Sequence, residues 1–454
     1  MKCYYFFLFF TLISCASSPR HGNNIKISID VDELPEIGLG ISTTEYDVRV
    51  IEFDSAKHGE RIIDNAEAIY LTLHNGFSER KQIYAEKGDH IHLTFDGKKL
   101  HGTSKLTGDR PPITEYLSRW KAVFPSRNIY SLPLPEFETK LKEAIQENSR
   151  LLDSCENTLK KASKKFVKLE HARIKYLLGS VLLNYPYAHG WKKKEEIEAN
   201  YYTTLENWIE EDKDYLDLQE YQNFITHACS FLSAQNEAKA TTPYENVLQR
   251  IQYISRNFKQ DEVIQYFIST WANEYVQRNG IVQIEELDKI TREKLTNPEL
   301  LSRYTDVYDS WVRIEPGNEA IDFFARDSTG KEFSLKDFRN QYVCLYIWQN
   351  VFPCIAEFSY LNKLTPLFKE KNIQLVNLSI EPKNEYWREV IRNKDIQTGT
   401  HLYLEKTREF LAGYHYNPQT IFQFILITPD GKIARINLPK PSSGEFEKYL
   451  SEQL

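Results

Sequence analysis

Val343-Cys344-Leu345-Tyr346-Ile347-Trp348 is an unbroken apolar run, and Gln349-Asn350-Val351-Phe352-Pro353-Cys354-Ile355-Ala356-Glu357 follows it directly. A short run without polar alternation fits a strand covered on both faces, as in a parallel sheet. A loop through Pro353-Cys354 then leads into a helix opened by Ile355-Ala356-Glu357 and running to about Lys371. Ile373 to Ile380 reads as the next buried strand and Asn384 to Asn393 as a helix. Ile421 to Thr428 reads as a strand that turns through Pro429-Asp430-Gly431 into Lys432 to Ile436. From Glu315 onward, strands alternate with helices, which predicts βαβ units and an α/β domain.

In this order the sequence resembles the membrane-tethered thioredoxin-like thiol-disulfide oxidoreductases of the TlpA and ResA type, over residues 312–454. The stretch Glu315 to Phe323 is similar to that family's lead-in segment, and Gly330 to Phe338 to its following hairpin. Trp348 and Pro353-Cys354-Ile355-Ala356-Glu357 are similar to the tryptophan before the active loop and the second half of the CxxC helix. Ile380-Glu381 through Trp387 and Tyr416 through Gly431 continue the likeness. The resemblance implies a thioredoxin-like fold and, in intact members, exchange between two cysteines. One exposed thiol sits at a helix amino terminus, where unpaired N–H groups and the helix dipole favour the thiolate. The second, three residues later on the same side of the first turn, resolves the mixed disulfide.

This chain departs from that pattern at two places. Cys354 matches the second cysteine, whereas Val351 stands where the attacking thiol belongs, and Trp348 to Cys354 is one residue shorter than the usual loop. Valine cannot ionise, so the standard dithiol cycle is not expected. The family also carries a cis-proline opposite the CxxC, and Phe422 falls at that place; Pro418 lies too early to substitute. A non-proline cis bond costs about 2.5 to 4 kcal/mol, so the Ile421-Phe422 bond is expected to be trans and the groove at Phe352 and Pro353 remodelled. Cys344 lies too far up its strand, at about 3.3 Å per residue, to replace the missing partner, and is read as inert core. Cys354 is read as a buried residual cysteine, the alternative being a lone redox or peroxidatic thiol tuned by Glu357.

The full chain has 454 residues, of which 41% are hydrophobic, 27% charged and 13% aromatic, so two or three folded units are expected. A net charge of −7 gives no footprint for nucleic acid. No run beyond residue 15 is long and apolar enough to span a bilayer. Met1-Lys2 followed by the apolar Tyr4 to Ile13 reads as a secretory signal, residues 1–14. Leu12-Ile13-Ser14-Cys15 resembles a bacterial lipobox, which implies diacylglycerol on Cys15, a tether over 15–24, and a membrane-held body in the cell envelope; the alternative is an ordinary signal in which Cys15 is incidental. Acylation stabilises membrane association by about 0.8 kcal/mol per buried methylene.

Residues 25–108 are expected to form an antiparallel β domain. Ile25, Ile27, Ile29 and Val31 share one face, as do Tyr46, Val48 and Val50, and Ile91, Leu93 and Phe95. Residues 109–311 carry a helical period, as in Phe166, Leu169, Ile174, Leu177 and Val181, and read as an all-α domain. There Lys192 to Glu196 is read as a solvated helix end. Cys155 and Cys229 leave a bridge open as a possibility that spacing does not decide. His90 and His92 alternate opposite Ile91, Leu93 and Phe95 and are expected to face water without holding a metal. No Walker loop, HExxH, paired CxxC zinc spacing or nucleophile elbow occurs, so no cofactor is expected. His171, His189, His227 and His415 are read as structural, and an envelope protein or peptide is the expected partner class.

Overall fold

A computed structural model describes residues 24–454 apart from 36–37, 43–48, 65–66, 77–78, 192–196, 237–239, 382–383, 393–395, 406 and 416–421. The signal and lipobox segment through Cys15, Tyr46, Val48, the Lys192 to Glu196 run, Pro418 and the peptide before Phe422 therefore lie outside the described residues. The chain divides into two compact units, Met1–Ala240 with Gln252–Ile264, and Thr241–Ile251 with Gln265–Leu454.

The first unit opens with strands β1 (Ile25–Val31), β2 (Leu39–Ser42), β3 (Arg49–Val50), β4 (His58–Ile63), β5 (Ala68–Asn75), β6 (Glu79–Glu86), β7 (His90–Phe95) and β8 (Lys105–Gly108). They form two four-stranded sheets, ordered β4-β1-β7-β8 and β3-β2-β5-β6. Alternation along β1 and β7 buries Ile25, Ile27, Ile29, Ile91 and Leu93 in one core with Leu39, Leu71, Leu73 and Ile83. The domain is not wholly antiparallel as expected: β1 pairs with β7 in parallel, Ile27 opposite Ile91 and Ile29 opposite Leu93. Period-two patterning is the same in both pairings, so the alternation could not reveal direction.

His90 and His92 lie on the outward, part-exposed face of that sheet, opposite the buried Ile91, Leu93 and Phe95, and each has a partner there: His90 Nε2 lies 2.7 Å from Ser28 Oγ, and His92 Nε2 lies 2.6 Å from Asp30 Oδ2. His58 Nδ1 takes the other oxygen of Asp30 at 2.6 Å. Those hydrogen bonds hold the Asp30 carboxyl below its usual range, and the bond that His58 donates to it lifts His58 above its own.

Helices then take over: α1 (Leu100–Thr103, a single turn), α2 (Pro111–Arg119), α3 (Leu134–Ala162), α4 (Lys164–His189), α5 (Ala199–Trp208) and α6 (Gln219–Asn236). Next come α7 (Pro243–Asn257), α8 (Asp261–Asn279), α9 (Glu285–Lys294) and α10 (Pro298–Val312). A buried ion pair joins α4 to the β sheets. Glu170 and Arg173 are 0% and 2% exposed, and Arg173 donates to the carboxylate from Nε at 2.7 Å and NH2 at 2.5 Å. The hydroxyls of Tyr70 on β5 and Tyr116 on α2 donate to the same carboxylate at 2.6 and 2.9 Å.

The second unit holds a sheet of seven strands: β9 (Ala325–Arg326), β10 (Glu332–Phe333), β11 (Tyr342–Trp348), β12 (Ile373–Ser379), β13 (Thr400–Leu404), β14 (Gln423–Ile427) and β15 (Ile433–Arg435). Their order is β10-β9-β13-β12-β11-β14-β15. The central β11, β12 and β13 run parallel, with Tyr346 opposite Asn377 and Asn377 opposite His401. Helices α11 (Phe352–Lys363), α12 (Thr365–Glu370), α13 (Asn384–Val390), α14 (Thr407–Gly413) and α15 (Glu445–Gln453) accompany it. The single helix expected to about Lys371 is two. Pro366 falls in the first turn of α12, and a proline inside a helix deletes one backbone bond and clashes with the preceding turn. Among the described residues, no helix is long and apolar enough to cross a membrane.

Candidate functional site at the amino terminus of α11

After β11, the chain is pinned at two points. Ile380 N donates to Trp348 O at 3.0 Å, and Asn350 N donates to the Glu381 carboxylate. Val351 then adopts the extended N-cap conformation, φ −126° and ψ 150°, and its side chain makes no capping bond. Helix α11 therefore starts at Phe352, earlier than the sequence reading placed it. Pro353 fits there because a first-turn N–H has no intrahelical acceptor to lose. The geometry sets Val351, Phe352 and Pro353 at the surface, with Phe352 83% exposed, and turns Cys354 fully inward.

Cys354 joins the core cluster of Tyr346, Trp348, Phe358 and Phe424. Tyr346 stacks on Phe424 with centroids 4.3 Å apart and donates its hydroxyl to Cys354 O at 2.7 Å. Burial pushes the Cys354 thiol above its ordinary pKa; the Gln349 backbone N–H and the Tyr346 hydroxyl pull it back, and the Glu381 charge raises it. Glu357 is not the tuning group. It is 5% exposed and accepts from Ser442 N at 2.9 Å and Ser442 Oγ at 2.7 Å, fastening α11 to the turn at Pro441–Ser443.

Phe422 is half-buried and reaches Tyr346 edge-on, with centroids 6.2 Å apart, and Phe424 at 5.9 Å. Cys344 is buried within β11, and burial alone pushes its thiol up to about 12. The possibility of a Cys155–Cys229 bridge ends with the structure, in which both are thiols. Cys155 instead donates to Leu151 O at 2.9 Å. Of the isolated histidines, His189 contacts Tyr130 O at 2.8 Å and His415 stacks on Trp311 at 4.1 Å. His171 lies 3.9 Å from Glu156, and His227 Nδ1 lies 2.8 Å from Asn223 O. Among the described residues, no group of three or more His, Cys, Asp or Glu is arranged to hold a metal ion.

One feature beneath α11 was missed by the sequence reading. Asn377 and Ser379 on β12 and His401 on β13 sit on the face of the sheet that carries Tyr346 and Trp348. Burial pulls His401 down to about 4. The signal was the alternation His401-Leu402-Tyr403-Leu404, a short strand not assigned from sequence. The sign of the resulting pH effect follows from linkage. Above pH 6.5 both folded and unfolded histidine are neutral, so nothing is lost; as pH falls from 6.5 toward 4 only the unfolded chain takes the proton. Stability is therefore expected to fall by on the order of 3 kcal/mol across that window, and His401→Gln should remove this acid-limb loss in urea titrations. An unchanged acid limb in the variant would rule the assignment out.

Residues 316–436 match the AhpC/TSA family. Thiol-disulfide oxidoreductase ResA of Bacillus cereus is 28% identical over 151 residues, covering 33% of this chain and 84% of that protein. ResA of Bacillus subtilis is 25% identical over 150 residues, covering 33% of this chain and 81% of that protein. Among solved structures, a putative thiol-disulfide oxidoreductase from Bacteroides vulgatus is 25% identical, covering 31% of this chain and 99% of that one, with a TM-score of 0.28. The carboxy-terminal domain is thus thioredoxin-like and similar to thiol-disulfide oxidoreductases.

Proposed function

We propose that the protein is a lipid-anchored component of the cell envelope whose thioredoxin-like domain has given up dithiol exchange for binding or structural support. The observation that carries this reading is the N-cap of α11: an aliphatic side chain occupies the place where the exchange chemistry needs a thiolate. Cys354 is itself buried with a raised pKa, the reverse of a reactive cysteine. The lipobox-like Leu12 to Cys15 supports the anchor and a periplasm-facing membrane location. The exposed Val351-Phe352-Pro353 surface suits an envelope protein or peptide partner, and the charge of −7 argues against nucleic acid.

A second reading, a single-cysteine oxidoreductase or peroxidase using Cys354, draws on the Gln349 N–H and Tyr346 hydroxyl that both favour the thiolate. Alkylation separates the two. In the native protein at mildly acidic pH, iodoacetamide is expected to leave Cys354 unmodified and to label it fully only after unfolding. Rapid native labelling, together with loss of peroxide or disulfide turnover in Cys354→Ser, would establish the second reading instead.

A further inference from the structure

Between α2 and α3 the chain over residues 120–126 is irregular, and Lys121, Ala122, Val123 and Phe124 are all exposed. Val123 and Phe124, two adjacent apolar side chains, are 54% and 52% exposed. The backbone beneath them is clamped by Asn148 of α3, which is 4% exposed. Val123 N donates to Asn148 Oδ1 at 2.9 Å, and Asn148 Nδ2 donates to Val123 O at 2.8 Å. Trp120 Nε1 donates to Asn148 O at 3.1 Å, and the Trp120 ring packs against the Arg173 guanidinium at 4.2 Å. A buried amide thus fixes the loop while two apolar side chains stay outside, so seating them on a partner costs little further backbone entropy.

The charge beside them is positive. Arg119, Lys121 and Arg127 are exposed, and no acidic residue occurs from Tyr116 to Pro135. The neighbouring carboxylates are paired, Glu115 with Arg119 and Glu147 with Arg150. An apolar tip flanked by Lys121 and Arg127 matches an anionic lipid surface, where apolar side chains enter the interface and cations meet the headgroup phosphates. The tether brings such a surface within reach. Lys26 N donates to Asp89 O, and the Asp89 carboxylate accepts from Nε of Arg110, the N-cap of α2, at 2.7 Å. The nine residues of α2 then span about 14 Å, which sets the loop on the order of 25 Å from where the tether enters the body. From Cys15 to Asn24 the chain can extend about 30 Å. We propose that the loop over residues 120–126 inserts Val123 and Phe124 into an anionic membrane surface, resting on the lipid anchor proposed above to bring it there.

The test uses the full chain, expressed and matured in a bacterial host, with an environment-sensitive fluorophore on Ala122→Cys. Protein without that substitution, treated alike, gives the background from the native thiols. The vesicles are phosphatidylcholine alone, or phosphatidylcholine with about one third phosphatidylglycerol. Flotation with the neutral vesicles reports the anchor, and the fluorophore reports the loop, so either can fail without the other. The protein is expected to float with both, and the emission to shift to the blue on the anionic vesicles. Phe124→Asp should cut the shifted population about tenfold or more. Lys121→Glu combined with Arg127→Glu should do the same, with unchanged thermal midpoints as the folding control for both variants. Without flotation on neutral vesicles the anchor falls, and a blue shift on the anionic vesicles alone still supports the loop. No shift on anionic vesicles, an equal shift in the folded variants, or a shift that requires added envelope protein or a higher protein concentration instead of lipid would overturn the proposal.

Discussion

Val351→Cys is expected to switch on disulfide exchange, raising insulin-disulfide reduction about a hundredfold or more over the wild-type protein. Restoring one missing member of a catalytic pair commonly changes rates by at least that factor. The N-cap backbone is extended, which a cysteine adopts without strain. The residue there is 38% exposed, so a partner disulfide can reach it. A thiol at this point faces the unpaired first-turn N–H groups of α11, which favour the thiolate. The loop is one residue short of the usual length, yet Val351 still holds the N-cap and Cys354 the third helical position, so the spacing needed for resolution is intact. Val351→Ser should give no activity. Val351→Cys with Cys354→Ser should form mixed disulfides that do not turn over.

Glu170→Ala is expected to destabilise the first unit by about 3 to 5 kcal/mol, read from the urea midpoint at constant slope. The substitution leaves Arg173 buried, with only the longer contact to Glu220, and removes the acceptor shared by Tyr70 and Tyr116. Trp120 stacks on the guanidinium at 4.2 Å and does not offset its charge by itself. An exposed pair supplies the control: Arg119 and Glu115 are 61% and 70% exposed, and Arg119→Ala should cost under about 1 kcal/mol. A loss in Glu170→Ala no larger than that of the control would show that the cluster contributes little.

The parts of this architecture that were legible in the sequence share a physical cause. β11 and β12 are buried on both faces, and an unbroken run such as Val343 to Trp348 has few other uses. The face of β1 and β7 was legible because alternation records burial. Strand direction was not, because pairing partners distant in sequence set it, as between Lys26 and His90. Short elements also escaped: β13 has five residues and a mixed burial pattern, too little period to stand out. At the site, the absence of a thiol at Val351 was visible by residue type alone. The role of Glu357 was not, since Ser442, its actual partner, lies 85 positions away and only the folded chain brings them together.

The most direct measurement is dithiothreitol-driven insulin reduction by the purified wild-type protein, with Cys354→Ser in parallel. The account predicts that both proteins match the uncatalysed rate, because no thiolate stands at the head of α11. Turnover by the wild type well above that background, lost in Cys354→Ser, would contradict it.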